Sequence, residues 1–417
     1  MEQHGISKLD LKRQNRMHVL KILKQRGPTS RIDIAGALEL TRAAVTIITN
    51  EMIEQGIIVE IGEYKQVSEK TPRGRKKILI DINHNYKFVL GITVECDVVS
   101  VGLSTLAGAV LDKHNLSINA ETSGKDIINF ASKSAKEILS DNCIDTSSLL
   151  GIGVGIFPTM FERLSIPVLD GVPNYTKLMA MIAEHTTLPI VMDSSVKGLA
   201  MANIDFMKTK DYTRQNIAFL QYGDTMNFVV TNLNDPIISY DNRTDFIDKI
   251  ILNPYSSETC SCGRHGCCKS EITPPAIIAK EKRVFSAERT PVLYSALNGD
   301  ESKINVNNII ESYLKGDEGS TEVIKQVTEL VSVLLNNLYY TTNPQRIVLH
   351  NFIFTEDNML KILKDSVKVI AGETVASKIC LSIIEDKHRF LSGCALAIRE
   401  LFFNRGGFDV KNHTYKK

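Results

Sequence analysis

Thr29–Glu60 reads T-S-R-I-D-I-A-G-A-L-E-L-T-R-A-A-V-T-I-I-T-N-E-M-I-E-Q-G-I-I-V-E, and its spacing of caps and apolar residues specifies two short helices around a tight turn. Ser30 is placed to cap a helix whose third position is Asp33, and Ile32, Ile34, Ala35 and Leu38 then share one face. After Glu39-Leu40, Thr41 serves as a second cap. The helix it starts puts Ala44, Val45, Ile48, Met52 and Ile53 on its apolar side, and Gly56 stops it. The pair is a helix-turn-helix, or else an ordinary helical hairpin. In the first case the second helix has Arg42, Ala43, Thr46, Thr49 and Asn50 outward, free for base edges and phosphates.

The residues beyond Gly56 favour the first case. A strand, I-I-V-E-I-G-E-Y, is succeeded by Lys65 to Lys77 with T-P-R-G-R-K-K, then by a second strand, I-L-I-D-I. A basic loop between two strands beside a recognition helix is a wing, suited to a minor groove or to phosphates. The expected DNA contacts are therefore Ser30, Arg31, Thr41, Arg42, Ala43, Thr46 and Asn50 from the helices, with Arg73, Arg75 and Lys76 from the wing.

At 417 residues, 43% of them hydrophobic, the chain is long enough for two or three domains with sizeable cores. Its net charge of +1 conceals an asymmetry: up to Asn85 there are 15 Lys and Arg against 10 Asp and Glu, so the remainder is acidic. Only the front end suits a polyanion. No apolar run reaches about 18 residues and the amino terminus lacks a signal-peptide core, so a cytoplasmic protein without membrane contact is expected. Of the eight cysteines, four fall between Cys260 and Cys268 and four are scattered (Cys96, Cys143, Cys380, Cys394). That distribution fits a metal site plus buried thiols better than a disulfide framework.

In chain order, residues 15–25 are amphipathic (Val19, Leu20, Ile22, Leu23) and end at Gly27-Pro28. Asn83-His84-Asn85 is a short polar joint, which divides the chain into residues 1–85 and 86–417. From Tyr86 the pattern becomes that of a meander: K-F-V-L-G-I-T-V-E, V-V-S-V-G-L-S-T-L and G-A-V-L-D-K-H-N-L-S-I. A helix over 126–141 and a buried strand L-L-G-I-G-V-G-I-F at 149–157 come next, and helices and strands alternate from there to residue 208. Strands at 216–233 and 236–240, a long helix over 320–342, strands at 346–349 and 378–384, and a closing helix over 389–403 repeat the scheme. Leading strands and then alternating units, twice over, give an α/β chain: a winged helix-turn-helix, then a two-lobed actin-like, ribonuclease-H-like domain of the sugar-kinase type.

On these pieces the chain resembles the repressor, open-reading-frame and kinase family, in its repressor branch related to xylose and N-acetylglucosamine regulators. The resemblance covers nearly the whole length. It rests on the winged-helix stretch from Ser30 to Gly56, on G-I-G-V-G-I-F-P against the family's G-I-G-I-G-x-P-G, on C-S-C-G-R-H-G-C against its C-x-C-G-x-x-G-C zinc motif, and on N-P-Q-R-I-V-L-H against its D-P-x-x-I-V-L-G strand.

Departures from that pattern remove particular chemistry. Where kinases of the family turn D-I-G-G-T-K around ATP phosphates, Thr93–Val98 has no glycine and carries Glu95. His350-Asn351 replaces Gly-Gly, and Y-G-D-T-M-N stands where a glycine-rich phosphate loop is expected. The ATP loops are thus read as absent, and no enzymatic activity is expected. The resemblance gives Asp193 the catalytic-base position, where it would accept a ligand hydroxyl or simply cap the following helix. Asn174 falls on the family's sugar-contacting asparagine and is otherwise a turn residue. The family's E-x-G-H becomes Ile247–Ile250. Cys260, Cys262 and Cys267 suit a structural zinc, but the motif's histidine is replaced by Ile250, leaving Cys268, His265, a distant residue or water as fourth ligand. A reduced, metal-free loop is the other reading.

The expectation is a DNA-binding regulator, a repressor of carbohydrate-related genes, that binds a double-stranded operator as a homodimer or tetramer and has a non-catalytic sensor domain for a sugar-derived effector. A sugar kinase with an attached DNA-binding domain, and a regulator controlled by a protein partner, are the alternatives.

Overall fold

Apolar periodicity sets the elements, and the caps set where they start. In the computed structural model, which describes residues 8–63, 77–169, 172–184, 186–207, 216–231, 247–351, 353 and 357–408, the amino-terminal module runs α1 (Lys8–Arg26), β1 (Thr29–Ser30), α2 (Arg31–Leu38), α3 (Arg42–Glu54), β2 (Ile58–Glu63) and β3 (Ile78–Ile82). Ser30 and Thr41 cap α2 and α3, each accepting from the backbone N–H three residues on (Asp33, Ala44). Glu39 ends α2 in the left-handed region at φ 55°. A three-stranded sheet, β1-β3-β2, completes a winged helix. The basic wing loop, with Arg73, Arg75 and Lys76, lies outside the described residues. Val19, Leu20, Leu23, Ile34, Val45, Met52, Ile57 and Ile80 form the module's core.

The chain divides into two compact units, Met1–Thr213 with Lys387–Lys417, and Arg214–Asp386. In the first, the winged helix leads into β4 (Phe88–Val94), β5 (Val98–Thr105), β6 (Val110–Ser117), α4 (Gly124–Asp141), β7 (Leu149–Ile156), the hairpin β8 (Val168–Leu169) and β9 (Val172–Pro173), α5 (Thr176–Ala183), β10 (Ile190–Ser194) and α6 (Ser195–Asp205). The sheet order is β10-β7-β4-β5-β6, with β4 parallel to β7 and antiparallel to β5. Leu90, Ile92 and Val94 alternate along β4 with Gly91, so one face is apolar and the other flat. The flat face receives the closing helix: a Cβ on Gly153 would lie 1.8 Å from the Gly393 carbonyl oxygen, so only glycine permits this approach.

In the second unit β11 (Ile217–Gln221), β12 (Asn227–Thr231), α7 (Cys268–Glu271), α8 (Pro274–Val284), α9 (Pro291–Ala296), α10 (Val306–Leu314), α11 (Glu318–Thr342), β13 (Arg346–His350), α12 (Asp357–Ala371), α13 (Glu373–Ala376) and β14 (Ile379–Leu381) form the sheet β12-β11-β13-β14 and its covering helices. Val327, Val331, Leu334 and Leu338 of α11 share its core with Leu220 and Leu349. The strand expected at 236–240 lies outside the described residues. α14 (Leu391–Ala397), which belongs to the first unit, continues into a π-helical turn at Ile398–Phe403.

The carboxyl-terminal segment grips α1. Arg16, with no exposure, donates through Nε to the Gly406 carbonyl at 2.9 Å and lies 3.9 Å above the Phe408 ring. Lys24 meets Asp205 at 2.7 Å, and Arg399 binds the same carboxylate through two nitrogens at 2.8 and 2.9 Å.

Candidate functional site

On α3, Arg42, Ala43, Thr46 and Asn50 are exposed, as is the cap Thr41. Thr49, expected outward, is fully buried, and the expectation is corrected: its hydroxyl donates to the Val45 carbonyl at 2.8 Å, which lets a threonine sit in the core as valine would. Arg31 is occupied within the module. Its Nε donates to Thr49 Oγ1 at 3.0 Å, and Nη2 reaches Glu60 at 2.8 Å and Asn50 Oδ1 at 3.2 Å. Ser30 is only 2% exposed, with its hydroxyl held in the cap of α2. Lys77 leaves the wing loop onto Asp33, whose carboxyl is held below its usual range by hydrogen bonds from Lys77 and then Ser30. Sequence reasoning misses Ile47, which is 70% exposed beside Ala43, Thr46 and Asn50. The available signal is an apolar residue lying off the apolar stripe.

Asp193 is the next-to-last residue of β10 and is half-buried. Its Oδ1 accepts from the Ser194 N–H at 2.7 Å, and Lys197 Nζ lies 3.0 Å away. Sequence reasoning misses Lys197 too, although its spacing of four residues from Asp193 is the spacing of a helical ion pair. Asn174 is exposed, and its Oδ1 accepts from the Thr176 N–H at 3.0 Å, leading the chain into α5. Tyr175, which follows Asn174, is edge-on to Phe161 at 6.0 Å; burial and then the Asp193 charge push its phenol pKa up.

The turn from β4 to β5 carries two acidic residues. Glu95 is 2% exposed and Asp97 accepts from Arg389 at 2.8 Å, while Thr93 donates to the Arg389 carbonyl at 2.9 Å. In the second unit His350 is buried against Phe219 at 5.6 Å, and Asn351 adopts φ 52°.

The cysteine loop closes on itself. Cys260 N–H donates to the Arg264 carbonyl at 2.8 Å, with Gly263 and Gly266 at φ 82° and 66°. The Sγ atoms of Cys260, Cys262 and Cys267 lie within 4.8 Å of one another, and those of Cys262 and Cys267 are 3.6 Å apart. Tetrahedral Zn–S bonds of about 2.3 Å place sulfurs about 3.8 Å apart, so the three thiols have a spacing that could hold a metal. A hydrogen bond from Arg264 lowers the Cys262 thiol to about 6, while burial pushes Cys267 up to about 12. Cys268 lies in the apolar core, its pKa raised by burial and then by Asp248, and it is not part of the cluster. Ile250 packs against the same core and offers only its carbonyl, to the Cys268 N–H. Among the described residues no further His, Cys, Asp or Glu, His265 included, brings a ligand atom within 4.8 Å of all three.

Among the described residues no helix is long and apolar enough to cross a membrane. The ROK family model matches residues 89–396, and the MarR family model matches residues 13–59. The chain is 22% identical to a xylose repressor of Caldicellulosiruptor bescii, over 94% of this chain and 97% of that one. It is 23% identical to an N-acetylglucosamine repressor of Escherichia coli O157:H7, over 96% of each. Among solved structures it is similar to a ROK family transcriptional regulator, described as a homolog of the E. coli MLC protein, at TM-score 0.71 and 19% identity over 95% of this chain and 98% of that one. It is also similar to a ROK hexokinase from Thermus thermophilus, at 0.57 and 15% over 75% and 99%.

Proposed function

We propose that this chain, which belongs to the ROK family, is a DNA-binding transcriptional repressor of sugar genes. The observation that carries the reading is the exposed face of α3, with Arg42, Ala43, Thr46 and Asn50 on a capped helix inside a winged helix. In this reading residues 1–85 bind a double-stranded operator, and residues 86–417 sense an effector and hold two chains together in the cytoplasm. Two recognition helices on a palindrome then act jointly, as a dimer or a pair of dimers. Thr41 and the wing's Arg73, Arg75 and Lys76 take phosphates, Ser30 and Arg31 hold α2 and α3 in place for reading, and Ile47 meets a thymine methyl. Asn174 and Asp193 contact a sugar-derived effector, with Lys197 orienting the carboxylate. Zinc would be held by Cys260, Cys262 and Cys267, with water completing the tetrahedron, and would fix the loop rather than take part in chemistry.

The same fold serves kinases, so catalysis has its own test. The Glu95 side chain and the Asp97–Arg389 pair occupy the β4–β5 turn, where ATP phosphates need a glycine-lined cradle. Incubation with ATP, magnesium and a panel of pentoses, hexoses and N-acetylhexosamines is expected to yield no sugar phosphate, and steady turnover on any of them would replace the repressor reading with a kinase.

A further inference from the structure

The apolar face of the first unit's sheet is not closed by its helices. Between α4, α5 and strands β4 and β7 lies a cavity of about 300 Å³. Its floor is Ile92 and Val154, and its walls are Ala131 and Ala135 of α4 and Leu178 of α5. Protein interiors leave few voids larger than a water molecule, and an apolar cavity stays dry, so this volume belongs to the range of ligand pockets instead of packing defects. The polar lining is confined to Lys136, Ser132, Thr146 and Thr186. Lys136 is exposed and has no carboxylate partner among the described residues, unlike Lys133, which pairs with Glu137.

We propose that this cavity is a second ligand site, for a medium-chain aliphatic carboxylate. The apolar lining suits an unbranched hydrocarbon chain, for which decanoate is the probe. The sheet and α4 bury the chain, and the Lys136 ammonium receives the carboxylate at the rim while its stem covers the apolar wall. The site also touches the sensing end: α5 lines the cavity through Leu178, and Asn174 and Tyr175 immediately precede that helix. A chain seated here fixes α5 and with it the turn that carries Asn174. The inference stands apart from the sugar reading, since none of the cavity residues is assigned a sugar contact.

Titration calorimetry of the full chain with sodium decanoate, below its micellar concentration, tests the site. Saturable binding near one per chain with a negative heat-capacity change is expected. Lys136→Gln, or methyl decanoate in place of the acid, should weaken binding by about two- to fivefold, the range of an exposed ion pair. Ala135→Trp fills the cavity and should abolish binding; if it does not fold, Ala135→Leu is the gentler filling and should weaken binding while raising the melting temperature. The absence of saturable heat with the wild-type chain overturns the proposal, as does undiminished binding in a folded, filled variant. Equal affinity for the acid and its methyl ester overturns the carboxylate assignment.

Discussion

Arg42 and Thr46 stand one turn apart on the exposed side of α3, where the Thr46 hydroxyl donates to the Arg42 carbonyl at 2.7 Å. Replacing either by Ala removes no core contact, so the melting curve should stay put while specific affinity falls by about 1–3 kcal/mol for a residue that reaches a base edge. Fluorescence anisotropy on the selected operator measures this, and unchanged affinity for both variants would remove α3 from the interface. Thr49 shows how far single residues are legible. Counting it as polar places it outward, yet a threonine that returns its hydroxyl to the backbone is as buriable as a valine, and only the phase of the folded helix reveals that. The thiol loop gives the second residue-level expectation. The Sγ atoms of Cys260, Cys262 and Cys267 lie within 4.8 Å of one another, so protein purified without chelator should carry about one zinc per chain, and Cys262→Ser should lower that content on elemental analysis. Zinc retained in full by the serine variant would show that Cys262 is not a ligand.

At the scale of elements, α6 joins the candidate effector position to the DNA-binding module. Asp193 lies two residues before it and Lys197 in its first turn, and Asp205, 1% exposed as a side chain, is its last residue, bound by Lys24 of α1 and Arg399. Burial by itself would raise the Asp205 carboxyl; the two cations and their hydrogen bonds reverse this and hold it below its usual range. Asp205→Ala leaves two cations without their anion and should cost about 3–5 kcal/mol in urea unfolding. Because the folded pKa is depressed, the carboxylate's contribution is present above the unfolded value near 3.9 and lost as pH falls through the folded one. The stability gap between wild type and variant should therefore narrow in acid, and a gap that is the same at pH 7 and well below pH 4 would mean that cavity formation, not charge, sets the cost. None of this triad is readable from sequence, since its members lie at positions 24, 205 and 399. The strands and long helices are readable, because periods of 2 and 3.6 leave a pattern over eight or more residues. β1 and the β8–β9 hairpin, two residues per strand, are too short to leave one.

Across the whole molecule, charge is divided as function requires, with the basic excess confined to residues up to 85 and the acidic excess beyond them. The wing should therefore supply affinity more than specificity: replacing Arg73, Arg75 and Lys76 together by Ala should lower the slope of log affinity against log salt by up to about 0.9 per lost phosphate contact. An unchanged slope with lost sequence preference would assign the wing to base reading. The repeated order of strands and helices makes the α/β fold legible, whereas the contents of its sites are not, because their side chains come together from distant positions in the chain. Whether α3 reads DNA is decided by selecting sequences from a random duplex library with the full-length protein. Enrichment of an inverted repeat with half-sites about one helical turn apart is expected, together with loss of that enrichment in Arg42→Ala. A library that emerges without a consensus, from protein shown to be folded, would mean that α3 is not a recognition helix.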